Sequence, residues 1–434
     1  MVVDPKFIEN WNKIQSRKGS SKRRRYIALG IIGAIIVAIV FVVLFFRTDL
    51  IVKPIEALTV KPSPGDWAMY GRDLTHSGVA VLSDKLPQGK VSKLFTSEGA
   101  MHSSPVIANG IIYVGSRDHN LYAFDAASGN KIWQFTTGSW VESSAAVVDN
   151  VVYFGSNDGN MYALDAKTGR KLWSYNVKDT IESSAAVVDG KVYFGCDDYS
   201  IYCLDAKTGK RLWSKTTLGY VSSSPAISNG LLYAGSSDGQ FYALDARTGR
   251  QRLAFDAKKV VSSSPVVTDG STVIFIANNG TIFALNGQAR NWFGESVLRP
   301  PWQILGMYGD VPAPPPPSGY QWSISFKGVN TISSPTLSGG KIYTGLGTQV
   351  VCVDLQTHQQ VWLTPMKTAI NFAGVLAANT VFATGADGHL YLLNAQSGEI
   401  LKDIAVGGVI SSNPLMVDGR VYISSEDGCL YLVE

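Results

Sequence analysis

Cysteine and charge are both scarce in this sequence. The chain has 434 residues, of which four are cysteine and 17% are charged. Four cysteines are too few for a disulfide scaffold. No two cysteines are adjacent, and no Cys-x-x-Cys-His motif occurs, which argues against covalently bound haem. With 45% hydrophobic and 11% aromatic residues, the composition also excludes an intrinsically disordered chain.

The positive charge of the chain is confined to its N-terminus. The net charge is +4, but residues 1–25 hold eight basic and two acidic side chains, so they supply +6 and the remainder −2. Such a tail can bind nucleic acid or acidic lipid, or it can set the topology of a neighbouring membrane span. The segment that follows favours the topology signal, and we expect no nucleic-acid partner.

A long apolar run follows the tail. Residues 26–46 read YIALGIIGAIIVAIVFVVLFF and contain no charge. At 1.5 Å per residue they are about long enough to cross a ~30 Å hydrocarbon core. A secretory signal would have a shorter apolar core and a small-residue cleavage site, and a buried helix of a soluble domain would not explain the basic flank. The run therefore predicts a transmembrane helix that anchors the protein.

Four consecutive basic residues at positions 22–25 abut this apolar run. The positive-inside rule then predicts a single-pass protein of the cytoplasmic (inner) membrane. Residues 1–25 form a cytoplasmic tail, residues 47–65 a linker, and the rest lies in the periplasm or outside the cell.

Internal repetition organises everything after the linker. Units such as VVYFGSNDGNMYALDAKTGRKLW recur about every forty residues. Equivalent aromatic residues mark eight copies, namely Tyr113, Tyr153, Tyr193, Tyr233, Phe275, Tyr343, Phe382 and Tyr422.

Each copy divides into four short strands separated by turns. In the third copy the first strand is SSAAVV, residues 183–188, and Asp189-Gly190 supplies the positive φ angles of a tight turn. Four antiparallel strands in ~40 residues are typical of a β-propeller blade. Nothing in the repeat has the 3.6-residue period of a helical solenoid.

The register also predicts how the ring closes. The last copy ends at Glu434 after its third strand, whereas residues 91–96, VSKLFT, form a spare fourth-type strand before the first copy. Their pairing would complete the eighth blade and remove an exposed sheet edge. The sequence therefore predicts an all-β, eight-bladed propeller of four-stranded blades over residues 66–434, closed between its two ends and preceded by one transmembrane helix.

Residues 66–434 resemble the pyrroloquinoline-quinone-like repeat propellers. The opening DWAMYGRDLTHSG is similar to the start of many such chains, and the family is marked by a docking motif with Ala at position one, Gly at seven and Trp at eleven. The resemblance extends to the eight-bladed, lipid-anchored propeller that assists outer-membrane protein assembly. The matching residues are Ala123, Gly129, Trp133, Ala163, Gly169, Trp173, Gly209, Trp213 and Trp362, with Cys203 and Cys352 in place of alanine, Leu253 in place of tryptophan and His358 in place of glycine.

The docking motif has a structural and a functional interpretation. Its glycine permits a left-handed turn between the third and fourth strands, and its tryptophan would lie flat between neighbouring blades. The alternative is that the tryptophans stack on a cofactor. Because they recur in blade after blade, the structural interpretation is favoured.

One polar position could carry chemistry. Just before the first strand, the successive copies place His102, Glu142, Glu182, Ser222, Ser262, Ile332, Asn371 and Ser411 at one equivalent site. In a propeller this site lies near the axis at one mouth. His102, Glu142 and Glu182 would then be neighbours that could bind a cation or act as acid and base. A hydrated polar funnel is the favoured alternative, and we expect no catalytic residue, metal or cofactor.

The largest departure from the repeat is an insertion at residues 286–320. It carries Trp292, Phe293, Trp302 and Tyr308 beside a run of four prolines. Aromatic and proline-rich loops on a rigid scaffold are suited to binding a partner. The equally weighted alternative is a loop folded over its own blade that hides those aromatics.

Three functions fit these features. The first is a membrane-anchored, non-enzymatic scaffold that binds other cell-envelope proteins, in envelope or outer-membrane protein assembly. The second is a membrane-bound quinoprotein dehydrogenase with pyrroloquinoline quinone and calcium, although family members with that activity are longer and typically carry a vicinal Cys-Cys pair. The third is an extracytoplasmic sensor, which would need a partner because its cytoplasmic tail has 25 residues. The scaffold is the favoured interpretation.

Overall fold

A computed structural model describes residues 68–78, 85–268, 270–307, 311–329 and 332–434. The predicted tail, transmembrane helix and linker, residues 1–65, lie outside the described residues. Among those that are described, no helix combines the length and the apolar character needed to cross a membrane.

Thirty-two strands and one helix are assigned within the described residues. Strands β1 to β16 are Val91–Thr96, Val106–Ala108, Ile111–Gly115, Asn120–Asp125, Lys131–Thr136, Ala146–Val148, Val151–Gly155, Asn160–Asp165, Lys171–Asn176, Ala186–Val188, Lys191–Cys196, Ser200–Asp205, Arg211–Thr216, Ala226–Ser228, Leu231–Gly235 and Gln240–Asp245. Strands β17 to β32 are Gln251–Asp256, Val266–Val267, Thr272–Ala277, Thr281–Asn286, Tyr320–Ser325, Thr336–Ser338, Lys341–Gly345, Gln349–Asp354, Gln360–Pro365, Ile370–Ala377, Thr380–Gly385, His389–Asn394, Ile400–Ala405, Leu415–Val417, Arg420–Ser424 and Cys429–Val433. Helix α1 is Glu295–Met307.

The strands form eight antiparallel sheets of four, which are the blades of a propeller. Blade 1 is β2–β5, blade 2 is β6–β9, and the series continues to β26–β29 in blade 7. Blade 8 pairs β30, β31 and β32 with β1, and Val91 lies opposite Val433. The predicted eight-bladed fold, its four-stranded blades and its closure by residues 91–96 are confirmed.

The core lies between the blades. The second and third strands of a blade are almost fully buried, as in β7 and β8, whereas fourth strands such as β9 alternate between exposed and half-buried residues. Burial of this apolar area, at about 25 cal/mol per Å², is the main force that holds the ring together.

The first strand of each blade is shorter than the sequence pattern suggests. In blade 3 it is Ala186–Val188, so Ser183 and Ser184 precede it. The Ser183 hydroxyl accepts a hydrogen bond from the Gly195 amide of the same blade at 3.0 Å. The Ser184 amide instead donates to the hydroxyl of Ser224 in blade 4 at 3.0 Å. Near the axis, hydrogen bonds to serine hydroxyls therefore replace the backbone bonds of a longer first strand.

The second serine of these pairs contributes to an arc of hydrogen bonds around the axis that links seven of the eight blades. In each bond a backbone amide donates across a blade boundary to the next side-chain hydroxyl, at 2.9–3.0 Å. The amides belong to Asn413, Ser104, Ser144, Ser184, Ser224 and Ser264, and the hydroxyls belong to Ser104, Ser144, Ser184, Ser224, Ser264 and Ser334. The bonds join blade 8 through blade 6 and satisfy donors that would otherwise face the channel unpaired.

Residues 68–78, which we call the plug, cross the axis of the propeller. Their backbone carbonyls accept hydrogen bonds from the innermost strands of blades 2, 4, 5 and 6. The donors are the amides of Val147, Ile227, Val267 and Leu337, at 2.7, 2.7, 3.0 and 3.4 Å. The donors are the middle residues of the first strands of blades 2, 4 and 6 and the last residue of that of blade 5, so the plug lies toward the end at which the first strands stop. We call that end the plugged mouth and the other end the open mouth.

The tryptophans of the docking motif lie between neighbouring blades. Trp133 in blade 1 donates from Nε1 to the carbonyl of Ala166 in blade 2 at 3.0 Å. A Cβ added to Gly169 would lie 2.8 Å from the Trp133 ring, and Gly169 has a φ of +71°. The same bond joins Trp173 to Ala206, Trp213 to Ala246 and Trp362 to Ala395. Glycine at position seven therefore serves both the turn and the close approach of a tryptophan.

Candidate functional site

A polar cavity of about 600 Å³ opens at the open mouth, and a second of about 410 Å³ adjoins it. Together they contain the equivalent position that the repeat register singled out in every blade. The residues at that position are His102, Glu142, Glu182, Ser222, Ser262, Ile332, Asn371 and Ser411. The plug contributes Tyr70 to the floor, where its hydroxyl donates to Ser334 at 3.0 Å.

Glu142 is already paired in this cavity. The Arg117 guanidinium donates to Glu142 Oε1 from Nε at 2.8 Å and from Nη2 at 2.6 Å. Asn157 donates to the other oxygen, Oε2, at 2.8 Å. Arg117 also stacks over the Trp140 ring at 4.6 Å. The carboxylate therefore has an internal partner at each oxygen.

His102 lies apart from that pair and nearer to blade 8. Its Nε2 is 3.9 Å from Glu426 Oε1, and it has no hydrogen-bond partner. Partial burial, followed by the positive charge of Arg117, lowers the pKa of His102. The ring is consequently neutral at pH 7 and does not form a strong ion pair with Glu426.

An acidic wall lies on the blade 3 side of the cavity. Loss of water around Glu182, with the charges of Asp197 and Glu142, raises the pKa of its carboxyl. Burial, with the charges of Asp179 and Asp198, likewise raises the pKa of Asp197. These carboxylates repel one another, so a cationic group bound here would be stabilised.

These donors do not fit a quinone–calcium pair of the kind that dehydrogenases of the family hold in the funnel. Both oxygens of Glu142 are engaged by Arg117 and Asn157. Within the described residues, no three His, Cys, Asp or Glu side chains are grouped closely enough to bind a metal ion. The predicted trio of His102, Glu142 and Glu182 is thus brought to one cavity but not to one coordination site.

A set of exposed apolar residues around the open mouth was not predicted from the repeat. Trp140 is 43% exposed, Tyr199 50%, Leu218 87% and Tyr220 45%. They lie in the connections that enter blades 2 and 4 and in the β11–β12 turn. A signal was present, since Trp140 and Tyr220 occupy a linker position at which the copy between them has the polar Thr180.

The predicted partner-binding residues of the insertion differ in their exposure to solvent. Phe293 is 84% exposed and Trp292 37%. Trp302 is half-buried and donates from Nε1 to the Pro312 carbonyl at 2.7 Å. Tyr308 lies outside the described residues. The insertion therefore packs partly on itself and still presents an aromatic side chain to solvent.

The four cysteines are buried and free. The register places Cys196 opposite Ser200 and Cys203 opposite Tyr193, so a bridge between the two cysteines does not form. They act as small core residues.

A family model described as outer membrane protein assembly factor BamB matches residues 77–217, 197–371 and 347–434. No curated protein matches the chain. The three overlapping matches together extend from residue 77 to the last residue of the sequence.

Several solved structures have the same fold. BamB from Moraxella catarrhalis is 17% identical, with a TM-score of 0.62 over 79% of this chain and 97% of that one. Quinohemoprotein alcohol dehydrogenase from Comamonas testosteroni is 17% identical, with a TM-score of 0.68 over 85% and 80%. A europium-containing methanol dehydrogenase is 18% identical, with a TM-score of 0.63 over 83% and 89%. At these identities the likeness concerns the fold alone.

Proposed function

The chain belongs to the family described as outer membrane protein assembly factor BamB, and on that premise we propose that it is a non-enzymatic scaffold that binds another cell-envelope protein at its open mouth. The family description suggests outer-membrane protein assembly as the process it serves.

Membrane anchoring is part of this proposal. The apolar run at residues 26–46 and its basic flank support a single-pass anchor in the inner membrane. The propeller would then lie in the periplasm or outside the cell.

The observation that carries the proposal is the exposed apolar set beside the cavity. Trp140, Leu218 and Tyr220 remain in contact with water although each could be buried by a partner. Tryptophan, tyrosine and arginine dominate the binding energy of protein interfaces, and Arg117 already lies over Trp140. The acidic wall formed by Glu182 and Asp197 would favour a partner segment that carries lysine or arginine.

The rigidity of the propeller supports the same function. Backbone pairing fixes the blades, and the arc of serine hydrogen bonds fixes the edge of the cavity in seven blades. A preformed surface loses little conformational entropy when it binds a loop or strand of another protein.

Crosslinking in native membranes followed by mass spectrometry tests the proposal. The full chain and its Trp140→Ala and Leu218→Ala variants would be compared with Leu172→Ala, which changes a residue of similar exposure (43%) on an outer strand. We expect one protein partner to be recovered with wild type and Leu172→Ala and to be reduced with both mouth variants. Recovery of small molecules alone, or equal recovery with all four proteins, would contradict it.

The alternative function is a quinoprotein dehydrogenase, which the fold of two solved neighbours favours. It predicts that the purified protein retains a quinone with its characteristic absorbance. The absorbance would be lost in Glu142→Ala or Glu182→Ala. A colourless protein that still binds its partner would support the scaffold.

A further inference from the structure

Helix α1 turns its charges inward and its apolar side chains outward. Its charged residues are Glu295 and Arg299, whose side chains are 6% and 13% exposed. Glu295 accepts hydrogen bonds from the Ser318 amide at 2.8 Å and from Asn291 at 2.9 Å. Arg299 donates to the Pro315 carbonyl. Burial alone would raise the pKa of Glu295, but these hydrogen bonds hold it below its ordinary value, so the inward side of the helix is its ionised side.

The outward side of the helix is a continuous apolar stripe. Val297, Leu298, Ile304 and Leu305 follow the helical spacing, and they are 71%, 54%, 56% and 46% exposed. Phe293 and Met307, at the two ends, are 84% and 86% exposed. Exposure of such a stripe to water is unfavourable, since the removal of apolar surface from water stabilises the protein.

The insertion that carries helix α1 leaves and re-enters blade 5 at the plugged end of the propeller, and Asn291, just before the helix, bonds to Arg252 and Ala254 on the outer strand of blade 4. Helix α1 connects β20 to β21, the third and fourth strands of the blade. In an antiparallel blade the connection between these strands lies at the end where the first strand stops, and the plug lies toward that end. The insertion and its apolar stripe therefore start at the end of the propeller opposite the open mouth.

We propose that the stripe on helix α1 is a bilayer-contact surface, which lies on the membrane and turns the open mouth away from it. The proposal rests on the anchoring in the proposed function. Residues 47–67 separate the predicted span from the plug, and 21 residues reach no more than about 75 Å when fully extended. The stripe is thus held within reach of the bilayer whenever the anchor is inserted.

Lipid fits the stripe better than a protein partner does. Gln303 is the one outward side chain between Val297 and Met307 that offers a hydrogen bond, so a specific partner would find little to fix its register. Protein interfaces average one hydrogen bond per 100–200 Å². An amphipathic helix on a membrane needs only its apolar face, buried about 5–10 Å into the boundary between headgroups and acyl chains.

Depth-dependent fluorescence quenching in pure lipid vesicles tests the proposal. Because the native cysteines are buried, a thiol-reactive fluorophore can be directed to Met307→Cys in the full chain. Leu218→Cys at the open mouth is the matched control, since the two native residues are 86% and 87% exposed. The vesicles contain phosphatidylethanolamine and phosphatidylglycerol with a brominated acyl chain and no second protein.

We expect the Met307 label to be quenched at a depth of about 5–10 Å and the Leu218 label to remain unquenched. Ile304→Glu should abolish the quenching while the protein stays inserted. An unquenched Met307 label in inserted protein, or equal quenching at both positions, would overturn the proposal and leave a protein as the occupant of the stripe.

Failure of the anchor is a separate result. Protein that alkaline carbonate extracts from the vesicles would refute the membrane span, whatever the Met307 label shows. In that case the same label, measured after vesicles are added to the soluble chain, still decides whether the helix binds lipid.

Discussion

His76 lies inside the plug, where a charge is strongly disfavoured. Its side chain is 6% exposed, and its Nδ1 bonds to the Pro265 carbonyl at 2.9 Å. Burial lowers its pKa to about 4 from 6.5. The unfolded chain therefore takes up a proton more readily than the folded chain, and stability present above pH 6.5 is lost as the pH falls toward 4.

This loss amounts to roughly 3 kcal/mol for a shift of this size. We expect Tm to fall between pH 6.5 and pH 4 in wild type, and the fall to be smaller in His76→Gln. The acidic wall works in the opposite direction, because carboxyls with raised pKa stabilise the fold when they are protonated. The difference between wild type and His76→Gln isolates the histidine, and parallel pH profiles would contradict the assignment.

The repeat register predicted where residues lie better than it predicted which side chains bond to each other. It placed His102, Glu142 and Glu182 at equivalent backbone sites, and the structure brings all three to the cavity. It did not reveal that Arg117, from a turn in blade 1, would donate hydrogen bonds to the Glu142 carboxylate and lie over the ring of Trp140. The forty-residue repeat predicts the position of each residue in its blade. A side-chain pair between blades depends on two residues whose identities do not repeat, and these meet only when the blades pack together.

Among the elements, the docking tryptophans provide the clearest test of blade packing. Trp133 is 9% exposed, tilts against Tyr113 at 5.8 Å and bonds to the next blade. We expect Trp133→Ala to destabilise the fold by about 3–5 kcal/mol, since a large cavity would open between two blades. Trp140→Ala, which removes an exposed side chain, serves as the control in denaturant unfolding. Equal loss in both variants would contradict the packing role.

Where the docking motif lacks its glycine in blade 6, another contact compensates for the change. Blade 5 carries Trp322 on β21, and it stacks at 4.9 Å on His358, the residue that replaces the motif glycine in blade 6. His358 has a φ of 58°, so the left-handed turn is retained. The replacement of the motif glycine by His358 could be seen in the sequence, but its stacking on Trp322 could not.

Helix α1 is the element that the sequence analysis did not predict. Pro300 and Pro301 lie in its middle, and such a pair normally ends a helix because each proline lacks a donor and crowds the preceding turn. Here the inward contacts of Glu295 and Arg299 and the packing of Trp302 against the proline-rich loop hold the helix in place. Local propensity was overridden by contacts within the insertion.

For the whole molecule, the forty-residue period carried most of the architecture. Turn residues and buried aromatics repeated in register predicted eight blades, and the missing last strand predicted closure by Val91–Thr96. The plug could not be read in the same way, because its carbonyls bond to strands of four different blades and its sequence matches none of them. A segment that occurs once and takes its position from contacts with several blades leaves no periodic pattern in the sequence.

The plug crosses the axis of the propeller, and the difference between the two ends of the ring underlies both proposals. At one end the insertion with helix α1 leaves blade 5, and the other end carries the cavity with Trp140, Leu218 and Tyr220. A scaffold built in this way would hold its binding face away from the bilayer.

Site-specific photo-crosslinking from position 218 in native membranes tests this account most directly. Leu218 is 87% exposed at the open mouth, so a bulky apolar photoreactive residue there disturbs no packing and keeps an apolar side chain at the proposed contact. The account predicts one protein adduct that is lost when Trp140→Ala is added and kept when Leu172→Ala is added. An adduct that is indifferent to Trp140→Ala, or only lipid and small-molecule adducts at this position, would contradict it.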